Sequence, residues 1–159
     1  MHPTHNSLVM TSRAQSVAAL NRHLAAAIDL HGQMKQAHWN VRGPSFIAVH
    51  LLFDRTADEV EIYSDKIAER AGALGGVAEG TVQVAAAKSY LIPYPLGRAE
   101  DHEHIFAVSA ALAAFGDGVR TSIAEATGWG DAATADLFTE ISRGIDGQLW
   151  FVESHRRET

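Results

Sequence analysis

The stretch 38–69, HWNVRGPSFIAVHLLFDRTADEVEIYSDKIAE, constrains the fold more than any other part of the chain. It holds five potential metal ligands: His38, His50, Asp54, Asp65 and Glu69. His50 with Asp54, and Asp65 with Glu69, are spaced i, i+4, so on a helix each pair projects from one face, one turn apart. With His50 as origin and about 100° per residue, Asp54 falls at about 40°, Asp65 at about 60° and Glu69 at about 100°. The four share a stripe, but they do not share an ion. Asp54 and Asp65 are separated by about 16 Å of helix axis, whereas metal–ligand bonds are about 2 Å long. A second copy of the helix, packed antiparallel about a two-fold axis, sets His50 and Asp54 of one chain against Asp65 and Glu69 of the other. The spacing therefore predicts two identical metal sites per dimer, each drawing on both chains. Asp58 and Glu61 lie on the same face by the same arithmetic, so periodicity alone does not choose among the six. A merely solvated acidic face gives a similar pattern. Against that reading, His50 is set among Phe46, Ile47, Val49, Leu51 and Leu52, where a polar group needs a partner.

Composition narrows the chemistry. A chain of 159 residues suggests one domain, and 47% hydrophobic residues supply a core. There is no cysteine, which removes disulfides, thiolate metal sites and cysteine catalysis and fits a reducing cytoplasm. Metal must then be held by His and carboxylate, donors that suit iron, manganese or zinc better than copper(I). The formal net charge of −6 disfavours sequence-independent binding to DNA. The N-terminus MHPTHNSLVMTSR has no basic region followed by an apolar run, so it is not a secretory signal. No stretch reaches the roughly 20 apolar residues of a membrane helix.

In chain order, residues 1–11 are polar and aperiodic and are expected to form a mobile tail. From Thr11 or Ser12, a long helix runs to about 38, with Val17, Leu20, Leu24, Ala27, Ile28, Leu30 and Met34 at helical spacing. It ends near Trp39–Asn40, before the breaker Arg42-Gly43-Pro44. Ser45 caps a second helix over 45–73, which stops at Gly75-Gly76. Residues 77–97 form a long connection, with a short helix around Ala85–Ala87. A third helix covers about 98–126 and a fourth about 131–154. The bundle thus spans 12–155, with a short tail over 156–159. Four long helices with one long crossover between the second and third predict an all-α, ferritin-like four-helix bundle. The di-iron site inside such bundles uses Glu-x-x-His, which this sequence lacks. That absence again directs the metal to a site between subunits.

KQAHWN at 35–40, Arg42-Gly43, FIAVH at 46–50, Asp54 and DKIAERAGALGG at 65–76 resemble the Dps family, the starvation-induced mini-ferritins. The likeness continues through GTVQV at 80–84, YPLG at 94–97, TADLF at 134–138 and LWFVES at 149–154. It implies that His38, His50 and Asp54 come from one subunit and Asp65 and Glu69 from its two-fold mate. It also implies a cytoplasmic ferroxidase that oxidises Fe2+ with hydrogen peroxide in preference to dioxygen. Ferric mineral would be stored in a homododecamer of 23 symmetry, and DNA would be protected without being touched. Zinc or manganese suits the same donors. In this family a Trp at the position of Trp39 lies near the metal, where an indole accepts oxidising equivalents; a packing role at the helix end is the alternative. Acids near the start of the last helix, here Asp131, Asp136 and Glu140, line pores that admit Fe2+ in mini-ferritins; ordinary helix-terminal acids are the alternative.

Other candidates carry less. Asp101 and His104, spaced i, i+3, are a possible metal pair, but a solvated first helical turn explains them as well. Trp150 reads as core or subunit contact, and Trp129 has no assigned role. His2 and His5 lie in the tail with nothing to hold them. The competing function is a nucleoid protein that compacts DNA, with metal incidental. Residues 1–12 contain no Lys or Arg, so Arg156 and Arg157 are the tail cations left to support it.

Overall fold

The computed structural model describes residues 1–156. Five helices follow in order: α1 (Met10–Asn40), α2 (Phe46–Ala73), α3 (Val82–Lys88), α4 (Asp101–Gly128) and α5 (Ala132–Glu153). The connection 41–45 is short, so α1 and α2 pack antiparallel; the connection 129–131 does the same for α4 and α5. The long stretch between α2 and α4 carries α3 against α1 and returns the chain across the bundle. This is the four-helix arrangement with a crossover helix that the sequence predicts. Among the described residues no helix is long and apolar enough to cross a membrane.

The helices form because their apolar residues recur with a 3.6-residue period and bury together. Leu20, Leu30, Met34, Phe53, Ile67, Leu112, Phe115, Phe138, Ile141 and Ile145 are all fully buried in one core. Each such side chain contributes about 1.5–3 kcal/mol relative to exposure. α2 and α4 are both closed by a glycine. Gly75 and Gly130 take positive φ, 79° and 76°, after α2 and α4, a conformation other residues rarely adopt. Gly76 N and Asp131 N then donate back to Ala71 O and Ala126 O, satisfying carbonyls that the helix ends leave open.

Boundaries differ from the expected ones by a few residues. α1 begins at Met10, with Val9 at the cap position, so Met10 and Thr11 belong to the helix. The third long helix starts at Asp101, because Arg42 N donates to Ala99 O and holds that segment extended beside the α1–α2 loop. Residues 1–9 have no regular element; His2 N donates to Gly75 O and Leu8 packs on the core. Arg157, one of the two tail cations, lies outside the described residues.

Candidate metal site

His38 sits in the last turn of α1 and His50 near the first turn of α2, and the short loop between the helices turns the two towards each other. His38 Nδ1 lies 2.8 Å from His50 O, and His50 Nδ1 lies 2.8 Å from His38 O. A carbonyl only accepts, so each Nδ1 carries the hydrogen and each Nε2 keeps its lone pair. His38 O is one of the last four carbonyls of α1, which have no partner inside the helix, and the His50 ring supplies one. The rings stack with centroids 3.8 Å apart, and Phe46 tilts against His50. Backbone thus fixes both tautomers and both orientations, the arrangement that metal-binding imidazoles take from their outer partners.

Asp54, one turn beyond His50, brings Oδ1 to 3.8 Å from His38 Nε2. It also bonds the Lys35 ammonium. That hydrogen bond is the main cause holding the Asp54 carboxyl below its ordinary range, against desolvation, which raises it. Lys35 was not singled out as a site residue from sequence, although it precedes His38 by three residues and so shares its face of α1.

Asp65 and Glu69 lie further along α2 and are exposed. Asp65 borders a groove with Ile28, His31, Glu61 and Gly80. Among the described residues of a single chain, no three His, Asp or Glu side chains form a group that could hold a metal ion. His38 stacks on His50 and has Asp54 near its Nε2, but these three do not close into a metal-holding group; Asp65 and Glu69 are held apart from them by the length of the helix. The stripe is mixed: Asp58 and Glu61 are exposed on it between the two sets, and apolar side chains lie along it. Phe46, Ile47, Leu51 and Ile62 are exposed, Ile47 to 63%. On the scale used above they fall between about −40° and 120°, on the ligand stripe itself.

Several other expectations are corrected. Asp101 and His104 are not a solvated turn. Asp101 is buried and accepts from Ser45 N at 3.0 Å and His102 N at 2.8 Å. Gly43 makes this possible: its φ is 125°, and a Cβ there would lie 3.0 Å from the Asp101 carboxyl. His104 is buried with Nδ1 on Tyr94 Oη at 2.6 Å. Asp131 does not face a pore. It is buried at the start of α5, caps Thr134 N and Oγ1, and pairs with Arg70 at 2.8 Å. Burial pushes its carboxyl up, but the Thr134 bonds and the Arg70 guanidinium outweigh this and hold it below the ordinary range. Asp136 is exposed, and Glu140 bonds Lys66 at 2.6 Å. Trp150 is 65% exposed against Phe151, which removes the core reading and leaves the contact one. Trp39 is exposed at the end of α1. Trp129 packs partly on the core, and its carbonyl accepts from Ser12.

The sequence matches the ferritin-like domain family over residues 17–159. It is 39% identical to a DNA protection during starvation protein of Agrobacterium fabrum over 157 residues, 99% of this chain and 97% of that one. Among solved structures, DpsA14 from Streptomyces coelicolor superposes with a TM-score of 0.91 at 35% identity, covering 98% of this chain and 92% of its own. Mycobacterium smegmatis Dps gives 0.92 at 28% identity, covering 98% and 88%.

Proposed function

The chain belongs to the ferritin-like family and, within it, to the DNA-protection-during-starvation (Dps) proteins, and on that premise we propose that it is a ferroxidase and iron store. Fe2+ is its substrate and hydrogen peroxide the oxidant. The observation that carries the reading is the divided ligand set. Two imidazoles with carbonyl-fixed Nε2 lone pairs and Asp54 stand at one end of α2. Asp65 and Glu69 stand about 16 Å along its axis, and exposed apolar side chains lie on the same stripe. An antiparallel copy of α2 buries those apolar groups and brings each set against its complement, completing two sites per dimer.

The roles follow from charge. Asp65 and Glu69 neutralise the incoming cation, with Glu69 placed to bridge two ions, and His38, His50 and Asp54 complete the coordination from the other chain. The Lys35 ammonium balances Asp54 until Fe2+ takes its place. Each ferrous ion gives up one electron and peroxide takes two, ending as water. Ferric product mineralises inside a dodecameric shell, and Asp136 and Glu140 belong to the acidic approach to its pores. DNA is protected because both reagents of hydroxyl-radical chemistry are consumed.

The test uses Asp65→Ala and His50→Ala. Each variant is expected to assemble and to lose fast iron oxidation. Shells dissociated and reassembled from a mixture of the two should recover part of it, since one site of a mixed dimer retains every ligand. Verified mixed shells with no recovery would refute the cross-chain site.

A further inference from the structure

A buried hydrogen-bonded chain runs from the crossover to the surface, away from the site just described. Tyr90 Oη lies 3.0 Å from His23 Nδ1, and His23 Nε2 lies 2.8 Å from Ser122 Oγ. Ser122 Oγ is 2.9 Å from Glu125 Oε2, and Arg22 Nη2 reaches both Ser122 Oγ and Glu125 Oε2 at 2.7 Å. The direction of every bond is forced. Arg22 only donates and the Glu125 carboxylate only accepts. The one proton of Ser122 therefore goes to Glu125, and its oxygen accepts from Arg22 and from His23 Nε2–H. His23 Nδ1 is then an acceptor, and Tyr90 must donate to it. Four groups point one way, from phenol to carboxylate.

The surroundings preserve this chain. His23 and Ser122 are fully buried. Gly118 leaves room for the phenol: a Cβ there would lie 2.7 Å from Tyr90 Oη. The Tyr90 residue as a whole stays 38% exposed, so a diffusing oxidant reaches it while its hydroxyl faces inward. The second Tyr–His pair differs at one atom. Tyr94 bonds His104 Nδ1, but His104 Nε2 is buried with no partner among the described residues, so a proton passed to His104 has no onward route there.

We propose that Tyr90 is a one-electron donor to oxidising radicals, its phenolic proton leaving through His23 and Ser122 to Glu125. The oxidant is of the hydroxyl-radical class, which iron and peroxide generate outside a controlled site. The radical takes one electron from Tyr90 and becomes hydroxide, which solvent protonates to water. In concert, the Tyr90 proton moves to His23 Nδ1, the Nε2 proton to Ser122, and the Ser122 proton to Glu125. The products are a neutral phenoxyl, the other tautomer of His23 and a protonated Glu125, so no charge is left in the core. One Fe2+ then returns an electron, becoming Fe3+, and the proton retraces the path. Burial pushes the Tyr90 phenol well above its ordinary range, so an electron lost without a proton acceptor would leave an unstable cation. The Glu125 carboxyl is pushed up by burial but brought lower on balance by Arg22 and Ser122, which keeps it ionised and ready to accept.

The test needs no iron and is therefore independent of the ferroxidase reading. Azide radicals are generated by pulse radiolysis in the assembled, iron-free protein, and phenoxyl absorbance is followed. Wild type is expected to form a long-lived phenoxyl, Tyr94→Phe to keep it and Tyr90→Phe to lose it. Glu125→Gln, which preserves an acceptor for Arg22 and Ser122 but takes up no proton, is expected to lose the long-lived signal as well. Circular dichroism and the urea midpoint verify that Glu125→Gln is folded. A long-lived phenoxyl that survives Tyr90→Phe overturns the assignment of the donor. One unchanged in folded Glu125→Gln overturns the proton path and reduces the chain to an anchor for the crossover.

Discussion

Acidification tests the burial of His23 directly. Its ring is fully buried, and edge-on contacts with Tyr90, Phe115 and Phe138 surround it. Protonating Nδ1 would force the Tyr90 hydroxyl to turn from donor to acceptor and leave its proton without this partner. Burial, assisted by the Arg22 cation and opposed by Glu125, lowers the imidazole from 6.5 to about 4. The folded state therefore refuses a proton that the unfolded chain accepts below about pH 6.5. Stability from this residue is complete above that pH, falls as the pH drops towards 4, and levels off below it. A fall from 6.5 to about 4 corresponds to about 3 kcal/mol per chain in full, most of which is lost by pH 4.5. The assay is urea unfolding of wild type and His23→Gln at pH 7 and pH 4.5. Protein concentration is held fixed because assembly contributes to apparent stability. The Gln variant is less stable at pH 7 but should lose less on acidification, by about 1 M in midpoint for an m-value near 2 kcal/mol/M. An equal acid loss in the two proteins would show that His23 is not the group refusing the proton.

Three further outcomes are expected. Gly144→Ala places a Cβ 1.8 Å from Tyr63 Oη on the opposing helix, so α5 must shift against α2; a loss of about 1–3 kcal/mol in thermal or urea unfolding is expected, and an unchanged midpoint contradicts the packing. Asp131→Ala removes the α5 cap and leaves Arg70 without its carboxylate, for a loss of about 2 kcal/mol by the same measurement; a neutral result would return Asp131 to the surface acids. In the proposed dodecamer twelve chains at −6 each give a shell of −72, and Arg156 is paired with Glu153, so no stable complex with linear duplex DNA is expected at neutral pH and about 0.15 M salt; a gel shift under those conditions would show a basic surface that the charge balance does not reveal.

The four long helices were legible because the signals are local and repeated: apolar residues at helical spacing, with glycine pairs after the second helix and around Trp129. The ligand pairs were legible because helix geometry converts i, i+4 directly into a shared face. Choosing four of the six residues on the crowded stripe, and joining His38 of α1 to them, needed the family resemblance, since Asp58 and Glu61 satisfy the same arithmetic. What stayed hidden depends on the return of the chain. Asp101 looked like a solvated first-turn acid until Gly43, from the α1–α2 loop, closed over it. Asp131 looked like a pore acid until Arg70, on α2, reached it. Both are buried by partners more than fifty residues away, which no window of the sequence contains.

Histidine illustrates the same limit at the scale of one atom. His38, His50, His23 and His104 are four imidazoles whose tautomers the sequence around them does not reveal. Their roles separate only by what sits on each nitrogen. Where Nδ1 meets a carbonyl, as in His38 and His50, the proton is pinned there and Nε2 keeps the lone pair that the proposed metal site uses. Where both nitrogens meet hydroxyls, as in His23, neither is pinned by itself, and the tautomer is set by a guanidinium and a carboxylate two bonds away. A ring held in this way exchanges tautomers when a proton arrives at one end and leaves at the other. His104 has one hydroxyl partner and one empty side, so it anchors the ring of Tyr94 and relays nothing. In the two proposals made above, a carbonyl partner thus makes a fixed donor for metal and a hydroxyl chain makes a proton path, whereas a missing partner makes a dead end.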